Sequence, residues 1–310
     1  MISRVFGKTK PINYALVFGF LVLCLFLAQL RQIHFGNNHH SIGVSLLTLI
    51  GLFSSAVAGN YLALSNQLIA PHVYTVYVYA LLVLLFPNVL LDYKPVLANL
   101  FLLGAQIRLN QMRPFKSIKV NVFDASLMVL AASLFLEWCV LFLVLIWVYV
   151  YAFSPLKPRN WLVPFAAIIG FMLILSAILF LSDNIAFLAQ HYRLHVSLTN
   201  LRLSNTVYHR VLGFTVAVLL VFLGFRRHRI SGFGRALQMR LNGLALILAI
   251  GVMLLQFSLG IEAYVLAFGP ICLFLSKQIE AFSKSLFREL VLIGGLLVSL
   301  VVFILGWIQQ

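Results

Sequence analysis

The chain has 310 residues, of which 63% are hydrophobic and 9% charged, with a mean hydropathy of +1.05. A soluble domain is about 45–50% apolar and about 25% charged, so this composition excludes a water-soluble enzyme. The 22 Lys and Arg against 7 Asp and Glu give a formal net charge of +15; in so apolar a chain this reads as anchoring at an anionic membrane surface, not as nucleic-acid binding.

The apolar runs are long and continuous rather than alternating, which excludes a transmembrane β-barrel and predicts an all-α membrane protein. Taken in order, the predicted transmembrane helices lie near 14–30, 42–58, 73–91, 95–108, 123–136, 137–153, 161–181, 210–225, 240–258, 262–277 and 289–307, about eleven in all. Arg4, Lys8 and Lys10 precede the first run, and no small-x-small cleavage site follows it. The first helix is therefore expected to be retained, with its N-terminus cytoplasmic. The run 123–153 is too long for one ordinary span and short for two. Glu137 near its middle favours a tight turn at the membrane surface; one long tilted helix is the alternative. Eleven helices place 17 of the 22 Lys and Arg on inner segments, whereas a merged helix would put the Arg226–Arg240 cluster outside, against the positive-inside rule. The C-terminus is then outside.

No internal repeat and no separable soluble domain is visible. The reading is one polytopic domain over 1–310, with 182–210 as an outer-face loop. Cys24, Cys139 and Cys272 each lie inside an apolar run without a CxxC spacing and read as core residues, with no metal site.

Chemistry narrows to few residues. On this topology Asp92, Glu137, Asp183 and Glu262 lie outside, and Asp124, Glu280 and Glu289 inside. Acids at membrane depth are costly and often functional, although an acid also simply ends a helix. Asp92 stands in the very short turn Phe86-Pro87-Asn88-Val89-Leu90-Leu91-Asp92-Tyr93-Lys94-Pro95. It either pairs with Lys94 or faces an outer cavity as a base or cation ligand. The stretch His191-Tyr192-Arg193-Leu194-His195-Val196-Ser197-Leu198-Thr199 alternates polar and apolar residues. An extended backbone would align Arg193, His195, Ser197 and Thr199 on one face. That face is either a phosphate-binding strip with Arg193 as its fork or part of an amphipathic segment on the membrane surface. His39 and His40 are adjacent and share no helical face, so they make a poor metal pair. No HExxH, GxGxxG or P-loop pattern occurs, which leaves zinc proteolysis and nucleotide binding without support.

Two resemblances follow from particular stretches. Phe6-Gly7-Lys8-Thr9-Lys10-Pro11-Ile12-Asn13, Ala98-Asn99-Leu100-Phe101-Leu102-Leu103, Ser117-Ile118-Lys119 through Phe123-Asp124-Ala125-Ser126, and Arg159-Asn160-Trp161-Leu162-Val163-Pro164 resemble a family of polytopic inner-membrane proteins of Bacteroidota. That likeness implies a membrane fold and no particular activity. The layout is also similar to the GT-C class of membrane glycosyltransferases, which take sugars from polyprenyl-phosphate carriers on the outer face. Phe86-Pro87 through Asp92-Tyr93-Lys94-Pro95 looks like that class's second acidic turn. The segments Asp124 to Leu136 and on to Tyr151 look like its paired short helices, and so does Tyr264 to Leu275 around Pro270. The chain departs from the class in its first outer loop, Arg31 to Ser41, which has no Asp or Glu. Only His39 or His40 stands where the resemblance expects an acid. The class's large outer sugar-binding domain is absent too.

The expectation is a GT-C-like protein of the bacterial inner membrane that binds or processes a polyprenyl-phosphate-linked glycan. Asp92, His39 and His40 are the candidate catalytic residues, and Arg193, His195, His191 and Lys94 the candidate substrate contacts. A divalent cation at Asp92 is the one cofactor considered, and the expected partners are the lipid bilayer, the lipid carrier and a membrane-protein complex. A non-catalytic subunit of an envelope secretion, motility or assembly complex is the alternative reading, and a transporter the third.

Overall fold

A computed structural model describes residues 6–34, 42–65, 67–112, 118–192, 214–215, 217–219, 221, 232–257, 261–282 and 285–308. Among the described residues every regular element is helical and there is no strand. The elements are α1 Pro11–His34, α2 Ile42–Ser65, α3 Tyr74–Leu85, α4 Tyr93–Asn110, α5 Ile118–Ser133, α6 Leu143–Phe153, α7 Pro158–Leu181, α8 Ala186–His191, α9 Phe233–Phe257, α10 Phe268–Ala281 and α11 Ser285–Ile308. Three short 3-10 turns, Pro87–Leu90, Glu137–Phe142 and Tyr264–Ala267, join the inner helices.

Among the described residues five segments are long and apolar enough to cross a bilayer: Pro11–Leu30, Ile42–Ser65, Pro158–Leu181, Gly234–Phe257 and Ser285–Ile304. The protein is thus an all-helical membrane protein. The other expected spans are shorter or more polar. The 12 residues of α3 reach only about 18 Å, and a hydrocarbon core is about 30 Å thick. The 11 residues of α6 fall shorter still. Most of the expected span 210–225 lies outside the described residues.

The short helices occupy the centre. In α3 every residue except Leu81 and Leu85 is buried, and α10 buries Phe268 through Phe274 without interruption. A helix apolar on all sides belongs inside a protein, and α3 is one. The long helices α7 and α11 are peripheral, with only 22% and 17% of their spans buried, whereas α2 and α9 are 44% buried. Close packing at the centre uses glycine. A Cβ on Gly51 of α2 would come 2.8 Å from Val96 Cγ1 of α4, and one on Gly269 of α10 would collide with Leu103.

The breaks between helices have local causes. Pro87 lacks an N–H and its ring would strike the preceding turn, so α3 stops at Leu85 and resumes as a 3-10 turn. Between α5 and α6 the chain leaves the helix at Leu136, whose backbone is extended (φ −137°, ψ 109°), and Glu137 opens the next turn. The 123–153 run is therefore broken at the place where Glu137 pointed to a turn. Pro158 starts α7, where its fixed φ suits a first turn.

Hydrogen bonds sort the helix termini into two ends. At one end Asn60 Nδ2 donates to Tyr14 Oη at 2.7 Å, and Tyr149 Oη donates to Asn110 Oδ1 at 2.6 Å. Gln238 Nε2 donates to the Asn110 carbonyl at 3.1 Å, and the Val73 amide to the Phe6 carbonyl at 2.9 Å. Lys8, Lys10, Arg108, Lys119, Lys157, Arg159, Arg235, Arg240, Lys277 and Arg288 belong to this basic end by their places in these elements. The opposite, acidic end carries Asp92, Glu137, Asp183 and Glu262, each at a helix junction.

One latch closes the basic end. Glu280, near the C-terminus of α10, accepts from the Ala70 amide at 3.2 Å and from Lys277 Nζ at 3.3 Å. It also lies 3.6 Å from Nε2 of His72, whose ring packs on Tyr74 with centroids 4.4 Å apart. Burial by itself raises the Glu280 pKa, but the contacts with His72, Ala70 and Lys277 together outweigh it and hold the carboxyl down at about 2. A carboxyl held below its ordinary 4.5 stabilises the fold above that value, and the contribution is lost as pH falls from there toward 2. Glu280→Gln should therefore melt below wild type at neutral pH. The two should converge as pH falls from 4.5 toward about 2, read by thermal unfolding in detergent.

Candidate functional site

The acidic end is where segments remote in sequence meet. Asn88 Nδ2, in the turn after α3, donates to Glu262 Oε2, just before the Tyr264–Ala267 turn, at 3.3 Å. Under this bridge lies an aromatic plate. Phe86 stacks on Tyr264 with centroids 4.8 Å apart and planes 20° apart. Phe214 packs on both rings, at 6.2 Å and 5.5 Å, and Phe268 lies 5.9 Å from Phe86. Phe86, Tyr264 and Phe268 are almost wholly buried, so the plate supports the two turns from below, while Asn88, Asp92 and Glu262 stay half-buried.

Asp92 has a defined structural task. It is the N-cap of α4, in extended backbone (φ −112°, ψ 112°), and its Oδ1 accepts from the Lys94 backbone amide at 3.0 Å. An N-cap carboxylate satisfies a helix N–H that has no partner within the helix. Its contact with Lys94 is thus through the main chain, and the Lys94 side chain stays exposed. Pro95 follows in the first turn of α4, where its missing N–H costs nothing.

A second junction at this end holds His191. It is the last residue of α8, not part of an extended strip as the alternation of residues suggested. Its ring stacks on Phe187 one turn back, centroids 4.8 Å apart, and its Nε2 lies 2.8 Å from the Ser133 carbonyl at the end of α5. Tyr192 Oη and Ser133 Oγ are 2.9 Å apart. Burial pushes the Tyr192 phenol up, against the lowering effect of that hydrogen bond, which keeps it neutral. His191 therefore ties α8 to α5 rather than standing with Asp92 and Lys94 in any described contact.

His39, His40, Arg193 and His195 lie outside the described residues. Among the described residues no group of three His, Cys, Asp or Glu stands close enough to hold a metal ion. The three cysteines are buried and unpaired. Sequence reasoning missed Asn88 and the Phe86–Tyr264 stack. The signal for Asn88 was present, as an amide directly after Pro87 in an otherwise apolar turn. Compared with known proteins, the chain matches no protein-family model, no curated protein and no solved structure.

Asp92→Ala should lower stability by about 0.5–2 kcal/mol through loss of the cap, whereas Asp92→Asn, itself a good cap, should leave it within a few tenths. Thermal melts of the two variants in one detergent measure the difference.

Proposed function

We propose that the protein is a GT-C-like protein of the bacterial inner membrane that binds a polyprenyl-phosphate-linked glycan at its acidic end, in envelope biogenesis. The observation that carries this reading is the Asn88–Glu262 bridge. It brings the Asp92 turn and the Glu262 turn onto one aromatic floor. Half-buried carboxylate and amide groups on a rigid floor suit a polyhydroxylated ligand, whose hydroxyls need acceptors and donors. Glycosyl transfer further needs a base for the acceptor hydroxyl and cations for the departing phosphate. In the catalytic version Asp92 takes that proton, and the charges of Lys94 and of Arg193, the latter known from the sequence alone, neutralise the phosphate. The first outer loop, Arg31 to Ser41, has no Asp or Glu, which favours the second reading, a non-catalytic subunit docked in a larger envelope complex.

In the orientation that goes with this reading the basic end is cytoplasmic, as the positive-inside rule requires, and the acidic end faces out. The buried native cysteines leave the background low for labelling with a membrane-impermeant maleimide on spheroplasts. Lys94→Cys should be labelled before lysis and Lys157→Cys only after it; the reverse pattern would overturn the orientation.

Native mass spectrometry of the gently extracted protein tests the ligand. A retained adduct with the mass of a polyprenyl phosphate or its glycan supports the carrier reading, and a retained second polypeptide without it supports the docked-subunit reading. In the catalytic version Asp92→Asn should cut transfer by about 10²-fold or more, the typical contribution of a positioned base, with its melting temperature unchanged.

A further inference from the structure

We propose that the crook between α7 and α8 is a seat for one hydrocarbon chain of a bilayer phospholipid, separate from the acidic-end site. The crook is a half-open cavity of about 370 Å³ lined by Ser176, Ala177, Leu179, Phe180, Ile185 and Leu188. It forms because the chain reverses sharply after α7. Asp183 adopts a left-handed backbone (φ 50°), and the Asn184 amide donates back to the Leu179 carbonyl at 3.0 Å. This folds α8 beside the last turn of α7. The fold-back is held from its far end, where His191 and Tyr192 are fastened to Ser133 of α5. The cavity is therefore built by tertiary contacts and is not a chance gap between two side chains.

Two observations decide what fills it. Among the described residues the wall is apolar but for one hydroxyl, Ser176 Oγ, which donates back to the Leu173 carbonyl at 2.9 Å. Such a wall offers water few partners. The flank around it belongs to a membrane span whose side chains are turned outward, with Leu173 65%, Ile178 57% and Phe180 69% exposed, so the surrounding solvent is lipid. A single hydrocarbon chain, thin and flexible, enters such a half-open crook from its open side.

The full-length protein is reconstituted in vesicles of phosphatidylethanolamine and phosphatidylglycerol containing a phospholipid with a diazirine in its acyl chain. Irradiation and peptide mapping then locate the adducts. A seated chain gives a several-fold excess of adducts on 176–188 over the equally exposed α7 face at Leu162, Phe165 and Ile169. Ala177→Trp, which fills the crook, should remove that excess while leaving adducts on α11 at Leu297 and Val301 unchanged, so a misfolded variant is recognised. Even labelling along α7, an excess that survives Ala177→Trp, or protection of 176–188 by cross-linking to a second polypeptide would each overturn the proposal.

Discussion

The constraint on which the rest depends is the mismatch between helix length and bilayer thickness. A helix of 12 residues such as α3 reaches about 18 Å, which falls short of about 30 Å of hydrocarbon. Where it stops, the backbone must turn, and bare turns are not tolerated against lipid because their N–H and C=O groups have no partners there. The structure meets this by placing α3, α10 and their 3-10 turns inside and the long helices α7 and α11 outside. The Pro87–Leu90 turn is then walled by α1 and α4, and the Tyr264–Ala267 turn by α4 and α9.

A second consequence concerns polar side chains. Lipid gives helices no hydrophobic reason to associate, so packing and hydrogen bonds must hold them. The buried residues follow that logic. Asn110 joins three helices, through its side chain to Tyr149 and through its carbonyl to Gln238, and Asn99 reaches Tyr79 at 3.3 Å. Such bonds average only about 0.6 kcal/mol in membrane proteins. Their value lies as much in register as in energy, since an amide displaced by one turn loses its partner. Gly51 and Gly269 act in the same direction, by letting α2 approach α4 and α10 approach α4 too closely for any other register.

Much of this was legible in the sequence, and what was not has specific reasons. Composition and run length identify an all-helical membrane protein, and Glu137 marks a real break. The number of spans was not legible, because a window of apolar residues looks the same whether it faces lipid or a neighbouring helix. The 73–91 run is apolar all round because it is enclosed by protein, and its length was read through a proline that splits it. His191 was misread for a similar reason. The alternation from His191 to Thr199 has a period of two, but the pairing that counts for His191 is with Phe187, four residues back on a helix. The Asn88–Glu262 bridge spans 174 residues of chain, and no local pattern encodes it.

Asp92 shows why sequence alone left its role open. In a very short turn between two apolar helices, a capping side chain is favoured at the first turn of α4 whether or not anything binds there. The cap engages Oδ1, and a carboxylate has a second oxygen with lone pairs of its own. Capping and ligand contact are therefore compatible in one side chain, and the cap fixes the carboxylate's position at the acidic end more firmly than a free side chain would hold it. Asparagine separates the two tasks: it keeps the hydrogen bond to the Lys94 amide and loses the negative charge and the basicity. An intact fold in Asp92→Asn with lost function would locate the chemistry in the charge, and an intact fold with intact function would leave Asp92 as a helix cap alone.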